Sequence, residues 1–253
     1  MRESIQRFHA GPEAETQLVC FPHAGGAASA YHPLSTLLGP AVETLAVQYP
    51  GRQDRHNDPW IFEIPRLVDQ VVADLERWMV PGKKLALFGH SMGAVLAFEA
   101  ARRLERSGRR LAGIFLSGRQ APTAPRPPQE NPTLYSMDDT AMIREMRLLS
   151  GTPHEVLDDP DLVRLVLPIL RADYKMLAAY TYEVGSKLEC PIVALTGDSD
   201  PWVEIPGVRR WEDETSGPFD LHVFPGGHFY LQDQLPHVVH IISQAVLASS
   251  VRL

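Results

Sequence analysis

Between Lys84 and Phe98 the chain passes from an apolar run, Lys84-Leu85-Ala86-Leu87-Phe88, through Gly89-His90-Ser91-Met92-Gly93 into a helical pattern that begins at Met92. Few folds accommodate that order. The apolar run reads as a buried strand, and the residues after it follow helical spacing. A strand that turns into a helix across one residue forces that residue into an unfavourable backbone conformation. Only residues without bulk fit two positions to either side of it. Ser91 then stands on the turn with its hydroxyl raised above the sheet, and the first amides of the helix point at the same place. G-x-S-x-G alone occurs by chance in many proteins; the strand before it and the amphipathic helix after it make it specific here.

The alternation continues along the chain. Strand patterns fall at 17–21, 43–49, 84–88, 111–116, 191–196 and 219–224, with helical patterns at 30–38, 65–79, 92–106, 208–214 and 235–247. Within 65–79, Leu67, Val68, Val71, Val72, Leu75 and Met79 share one helix face. Strands alternating with crossover helices predict an α/β fold with a mostly parallel sheet flanked by helices. Such sheets bind ligands at the carboxyl ends of their strands, where Ser91 lies. A length of 253 residues, 44% hydrophobic and 22% charged, suits a soluble domain of this class. The net charge of −7 excludes a general affinity for nucleic acid or anionic membrane. Cys20 and Cys190 lie in or beside apolar runs and are expected as core thiols of a reducing compartment. Residues 1–17 lack the apolar centre of a signal peptide, and no stretch approaches membrane-spanning length, so a cytoplasmic location is expected.

One segment interrupts the alternation. Residues 120–184 contain no strand pattern; they open with Pro122, Pro125, Pro127, Pro128 and Pro132 and then turn helical at 139–149, 162–170 and 172–180. The prolines make a stiff connector. This divides the chain into a core, 1–119 with 185–253, and a helical insertion, 120–184, which is either a separate subdomain or crossover or, the reading favoured here, a lid overhanging the carboxyl edge of the sheet. Met142, Met146, Leu148, Leu149, Leu165, Leu167 and Met176 exceed the needs of a small bundle, and that surplus suits a lid over an apolar ligand.

A serine hydroxyl is a weak nucleophile until a base takes its proton, and the base needs a carboxylate to orient it. His228, in Pro225-Gly226-Gly227-His228-Phe229, falls on a glycine turn after the last strand and is the candidate base. Its neighbour in the motif, His90, points away by the geometry of the turn, and His23 shapes a loop. For the acid, Gly197-Asp198-Ser199-Asp200-Pro201 follows the fifth strand pattern, and Asp198 competes with Asp200. Asp200 is favoured, with Pro201 stiffening its turn and Asp198 bonding the loop. The oxyanion formed in acyl transfer needs two amides: that of Met92, and that of Ala24 in the flexible turn Pro22-His23-Ala24-Gly25-Gly26. No Cys/His pair has metal-ligand spacing and G-x-G-x-x-G is absent, so neither metal nor cofactor is expected.

Phe21-Pro22-His23-Ala24-Gly25-Gly26, Tyr49-Pro50-Gly51-Arg52, Phe88-Gly89-His90-Ser91-Met92-Gly93, Leu170-Arg171-Ala172-Asp173-Tyr174, Gly197-Asp198-Ser199-Asp200 and Pro225-Gly226-Gly227-His228-Phe229 together resemble the type II thioesterases. These are the free-standing editing enzymes of polyketide and nonribosomal peptide synthesis. The resemblance covers nearly the whole chain in order. It implies an α/β-hydrolase fold with a helical lid, a triad of Ser91, Asp200 and His228, and oxyanion amides on Met92 and Ala24. It also implies hydrolysis of stalled acyl groups from the phosphopantetheine arm of acyl or peptidyl carrier domains, which would be transient partners of a monomeric enzyme. Thioesterase domains fused to synthases usually carry their acid after the strand that follows the elbow helix; Leu116-Ser117-Gly118-Arg119 holds no carboxylate, which fits the stand-alone type. A small-molecule carboxylesterase or lipase of the same fold, and an inactive binding module, are the competing readings.

Overall fold

A computed structural model gives the fold; residues 4–126, 134–149, 151 and 157–248 are described. Pro127, Pro128 and Pro132 of the connector lie outside the described residues. The elements in chain order are β1 (Ile5–Arg7), β2 (Thr16–Phe21), α1 (His32–Leu38), β3 (Val42–Val47), α2 (Ile64–Leu75), β4 (Lys84–His90) and α3 (Met92–Arg106). They continue with β5 (Gly113–Ser117), α4 (Asp139–Leu149), α5 (Pro160–Ala179), β6 (Ile192–Gly197), α6 (Ile205–Arg209), β7 (Phe219–Phe224) and α7 (Leu231–Ala248). All seven strands form one sheet in the order β1-β3-β2-β4-β5-β6-β7, and only β1 runs antiparallel to its neighbour.

Side chains alternate across the sheet with the two-residue period of a strand. Val19 and Phe21 of β2, with Leu85 and Leu87 of β4, face α2 and α3. Leu18 and Cys20, with Ala86 and Phe88, face α1 and α7, where Leu34, Leu38, Val238, Ile242 and Val246 cover them. Cys20 and Cys190 are buried free thiols. The helices α4 and α5 enter between β5 and β6 and extend the α3-side core: Met142, Met146, Leu149, Leu167, Leu170, Tyr174 and Met176 belong to the same apolar cluster as Val95 and Phe98. Leu148 and Leu165 instead face outward, 61% and 67% exposed, so two of the apolar residues expected as surplus for a ligand meet solvent.

Several boundaries differ from the sequence pattern. The patterns at 162–170 and 172–180 form one helix, α5 (Pro160–Ala179), with Tyr180 just beyond its end; Arg171, between the two patterns, is a helical residue whose guanidinium reaches the Tyr135 carbonyl at 2.7 Å and Asp139 at 2.8 Å. Pro168 lies inside that helix and lacks the N–H that would reach one turn back. The pattern at 208–214 resolves into the single turn α6 and a 3-10 segment, Arg210–Glu214. The strand β1 went unpredicted because three residues are too few to show a period.

The strand-to-helix turn also sets how close the layers come. A Cβ on Gly93 would lie 1.9 Å from the Phe21 carbonyl oxygen, whereas one on Gly113 would meet nothing nearer than 3.4 Å. Gly93→Ala is therefore expected to cost about 3 kcal/mol or more, through forced backbone movement, and Gly113→Ala to stay within about 1 kcal/mol. Urea unfolding of the two variants checks the contrast.

Candidate active site

Ser91 has φ 55° and ψ −115°, a left-handed conformation that side chains rarely adopt. Two interactions hold it there. Its N–H donates to the Ser117 carbonyl at the end of β5 (2.8 Å), and α3 begins at the next residue. The flanking glycines are required: a Cβ on Gly89 would lie 2.1 Å from the Gly93 carbonyl oxygen, and Gly93 abuts Phe21 as described. The hydroxyl of Ser117 is itself fixed, 2.7 Å from the Tyr230 hydroxyl and 2.9 Å from Nδ1 of His90.

His228 sits on the turn between β7 and α7, where Gly226 takes a positive φ of 129°. Its Nε2 lies 3.0 Å from Ser91 Oγ, and its Nδ1 lies 2.7 Å from Asp200 Oδ2. Asp200, on the loop after β6, accepts the Trp202 N–H at 2.9 Å through its other oxygen. The side chains of His228 and Asp200 are 1% and 0% exposed. A carboxylate on Nδ1 holds the proton on that nitrogen and leaves the Nε2 lone pair facing the serine hydroxyl. The competing acid is placed elsewhere: Asp198 Oδ1 accepts from the Ser199 hydroxyl (2.8 Å) and the Gly226 N–H (3.1 Å), bonds that hold its carboxyl below the usual carboxylate range.

Two further imidazoles surround this chain. The ring of His90 lies 5.2 Å from that of His228 and 6.1 Å from that of His23. Burial lowers the basicity of both, with the charge of His228 acting the same way, and His23 falls to about 4. They are neutral near pH 7, so no competing cation lies beside His228 when it takes up a proton. The expectation that His90 points away from the site does not hold: its ring packs beside that of His228 and is held at Nδ1 by the Ser117 hydroxyl, while His23 fills the space a Gly26 Cβ would need, within 2.9 Å.

The loop after β2 is fastened at six backbone groups. Tyr31 donates to the Phe21 carbonyl (2.7 Å), Tyr49 to the Pro22 carbonyl (3.1 Å), and the Gly26 N–H to the His23 carbonyl (2.9 Å). Arg52 donates through Nε to the Gly26 carbonyl (2.9 Å) and through Nη1 to the Pro50 carbonyl (2.9 Å). The Gly25 N–H donates to Asp173 Oδ2 (2.7 Å), which also pairs with Nη2 of Arg52. By contrast, the N–H groups of Ala24 and Met92 meet no acceptor among the described residues. Arg52 and Asp173 were not singled out from chemistry in the sequence. Each lies in a stretch that carries the family resemblance, Tyr49-Pro50-Gly51-Arg52 and Leu170-Arg171-Ala172-Asp173-Tyr174, but only the fold brings them together across 121 positions.

Beside Ala24 opens a cavity of about 260 Å³, walled by Met146, Leu149, Leu170, Tyr174 and Phe229. It is apolar and large enough for a short acyl chain. Among the described residues no group of three or more His, Cys, Asp or Glu is placed to hold a metal ion, and no helix is long and apolar enough to cross a membrane.

A parallel sheet flanked by helices, with a serine on a strained strand-to-helix turn and a histidine–carboxylate pair at the ends of later strands, defines the α/β-hydrolase class. Within that class the chain belongs to the thioesterase family: the thioesterase domain model matches residues 16–246. Thioesterase PikA5 of Streptomyces venezuelae is 47% identical over 247 residues, 97% of this chain and 86% of that protein. The solved structure of the type II thioesterase BorB from the borrelidin biosynthetic cluster superposes with a TM-score of 0.87 at 44% identity, covering 96% of this chain and 97% of BorB. YbtT, a type II thioesterase from the yersiniabactin NRPS/PKS pathway, gives 0.85 at 29% identity, over 97% and 98% of the two chains. The protein is thus an enzyme that hydrolyses thioesters.

Proposed function

We propose that the chain is a type II thioesterase of polyketide or nonribosomal peptide biosynthesis, which clears stalled acyl groups from the phosphopantetheine arm of carrier domains through an acyl-serine intermediate. The observation that carries the chemistry is the hydrogen-bonded series Ser91–His228–Asp200 beside two unengaged amides, those of Ala24 and Met92. The similarity to PikA5, BorB and YbtT supports the biosynthetic setting.

In the first half-reaction Ser91 Oγ attacks the thioester carbonyl carbon while His228 Nε2 takes the hydroxyl proton. The carbonyl oxygen becomes an oxyanion held by the Ala24 and Met92 amides, the second reinforced by the α3 N-terminus. Collapse expels the thiol, which receives its proton from His228, and the acyl group remains on Ser91. A water deprotonated by His228 then attacks the ester, and collapse returns the serine and releases the carboxylic acid. Asp200 keeps the imidazole in the required tautomer and stabilises its charged form; it needs no proton of its own. The acyl chain occupies the apolar cavity beside Ala24, whose methionine and leucine walls adapt to several shapes.

Carrier domains are the partners in this reading. Arg102 and Arg103 of α3 are poor docking cations, because both are already paired with Glu99, and Arg103 also with Asp69. The outward-facing Leu148 and Leu165 on the helices of the insertion provide apolar contacts instead, of the kind a weak and brief encounter uses. In this reading residues 120–184 act as a lid over the core, the enzyme works as a monomer, and the chemistry uses neither metal nor cofactor of its own.

Two outcomes are expected. Ser91→Ala and His228→Ala should lose on the order of 10⁴- to 10⁶-fold in kcat, and Asp200→Asn roughly 10³- to 10⁴-fold, each with a native circular dichroism spectrum. Asp198→Asn should keep most of its activity and lose about 1 kcal/mol of stability; a large kinetic loss there and none at Asp200 would reverse the assignment of the acid. The second concerns the partner: kcat/KM should be higher for an acyl group on a carrier protein than for the same group on coenzyme A, with only a modest response to salt. Equal values would favour a small-molecule esterase.

A further inference from the structure

We infer that Asp173, on the insertion helix α5, is a positioning residue that locks the peptide next to Ala24 and so makes the oxyanion site depend on α5 being docked. The inference rests on the proposed role of Ala24 as an oxyanion donor.

Residues His23 to Gly26 form a turn closed by the Gly26 N–H and the His23 carbonyl, with Gly25 at a φ of 75°. A positive φ at the third position marks a type II turn, and types I and II differ by a flip of the central peptide. That peptide joins Ala24 to Gly25. Asp173 Oδ2 accepts its N–H at 2.7 Å. In the flipped form the N–H would lose this acceptor and a carbonyl oxygen would turn toward the carboxylate. Asp173 thus selects one of two orientations of the unit that adjoins the Ala24 amide.

Arg52 is the second half of the device. It pairs with the same carboxylate oxygen and grips the far end of the turn through the Gly26 carbonyl. The two side chains are only 7% and 6% exposed, so neither charge is tolerable there without the other. Gly25 and Asp173 are 148 positions apart, one on the core loop and one on α5. When α5 leaves the core, the acceptor leaves with it, and the turn is free to flip. A docked insertion and a formed oxyanion site become one event, which confines hydrolysis to acyl groups over which the insertion has settled.

A plain structural tie between α5 and the core would use the same contacts but would affect stability or substrate binding, not the chemical step. The test therefore reads the two separately. Asp173→Asn alone strands the Arg52 charge, so it is paired with the double variant Asp173→Asn/Arg52→Gln, which removes both charges. The double variant is expected to lower kcat about 10- to 100-fold, less than outright removal of an oxyanion donor, with KM changed less than about threefold. The Ki of an acyl trifluoromethyl ketone, whose adduct with the serine carries an oxyanion, should rise by the same factor as kcat falls. A folded double variant with kcat within about threefold of the parent, or with a changed KM and unchanged Ki, would overturn the inference. Amide hydrogen exchange of the unaltered protein tests it independently of any variant: the Gly25 N–H should exchange slowly and together with the amides of α5. Rapid exchange at Gly25 while α5 stays protected would also overturn it. Ser91→Ala assayed in parallel distinguishes this failure from failure of the serine mechanism, since it reports on the nucleophile whatever happens at Asp173.

Discussion

The hydrogen bond from the Ser91 N–H to the Ser117 carbonyl fixes a side-chain-bearing residue at positive φ on the strand-to-helix turn. A side-chain-bearing residue in this conformation costs about 1–3 kcal/mol, and it persists only when its surroundings allow nothing else. Here β4 ends in it, α3 begins after it, β5 ties its amide, and the carbonyl at the end of β2 lies where any Gly93 side chain would have to go. Four elements converge on a single backbone position. Because β2 is pressed so closely against the start of α3, the loop that follows β2 is delivered beside the first amide of that helix. Packing thereby brings the unengaged amides of Ala24 and Met92 near one another, and the side chains of Tyr31, Tyr49, Arg52 and Asp173 then fasten the loop.

Charge is arranged with the same economy. Among the described residues, His228 is the one imidazole hydrogen-bonded to Ser91, and the two rings packed near it, His23 and His90, are kept neutral by burial. A buried imidazolium on either would oppose proton uptake by His228. The buried charges that do exist near the loop, Arg52 and Asp173, compensate each other, and they reach across the core–insertion boundary to do so. The apolar helices of the insertion therefore do more than wall a cavity: a polar contact from them ends on the loop after β2.

The sheet and the serine turn were legible in the sequence because both have local signatures. The strand at Phe219–Phe224 and the helix at Met92–Arg106 fall where the apolar periodicity puts them, since strand and helix periods are properties of short windows. Ser91, Asp200 and His228 were readable because each follows a strand and sits in a glycine or proline turn, and the structure brings their side chains together. Asp198 and Asp200 lie two residues apart along one loop, and only the fold aims the Asp200 carboxylate at Nδ1 of His228 and that of Asp198 at the Gly226 amide. What could not be read locally is what depends on long-range packing. The continuity of α5 through Pro168 and Arg171 comes from burying Leu167, Leu170 and Tyr174 on one face, and tertiary burial overrides a local breaker. The exposure of Leu148 and Leu165 depends on how α4 and α5 sit on the core. The pairing of Arg52 with Asp173 depends on a fold contact for which no spacing rule exists.

The central claim is that Ser91 carries the acyl group between the two half-reactions. It is tested most directly by mixing the enzyme with a thioester, quenching in acid within the first turnovers, and mapping the intact mass and then the peptides. The account requires a mass increase equal to the acyl group, located on the peptide that contains Ser91, and accumulating when the second half-reaction is slowed by a poorly hydrolysed acyl chain. Turnover with no covalent acyl species under those conditions, or an acyl group on any residue other than Ser91, would contradict it.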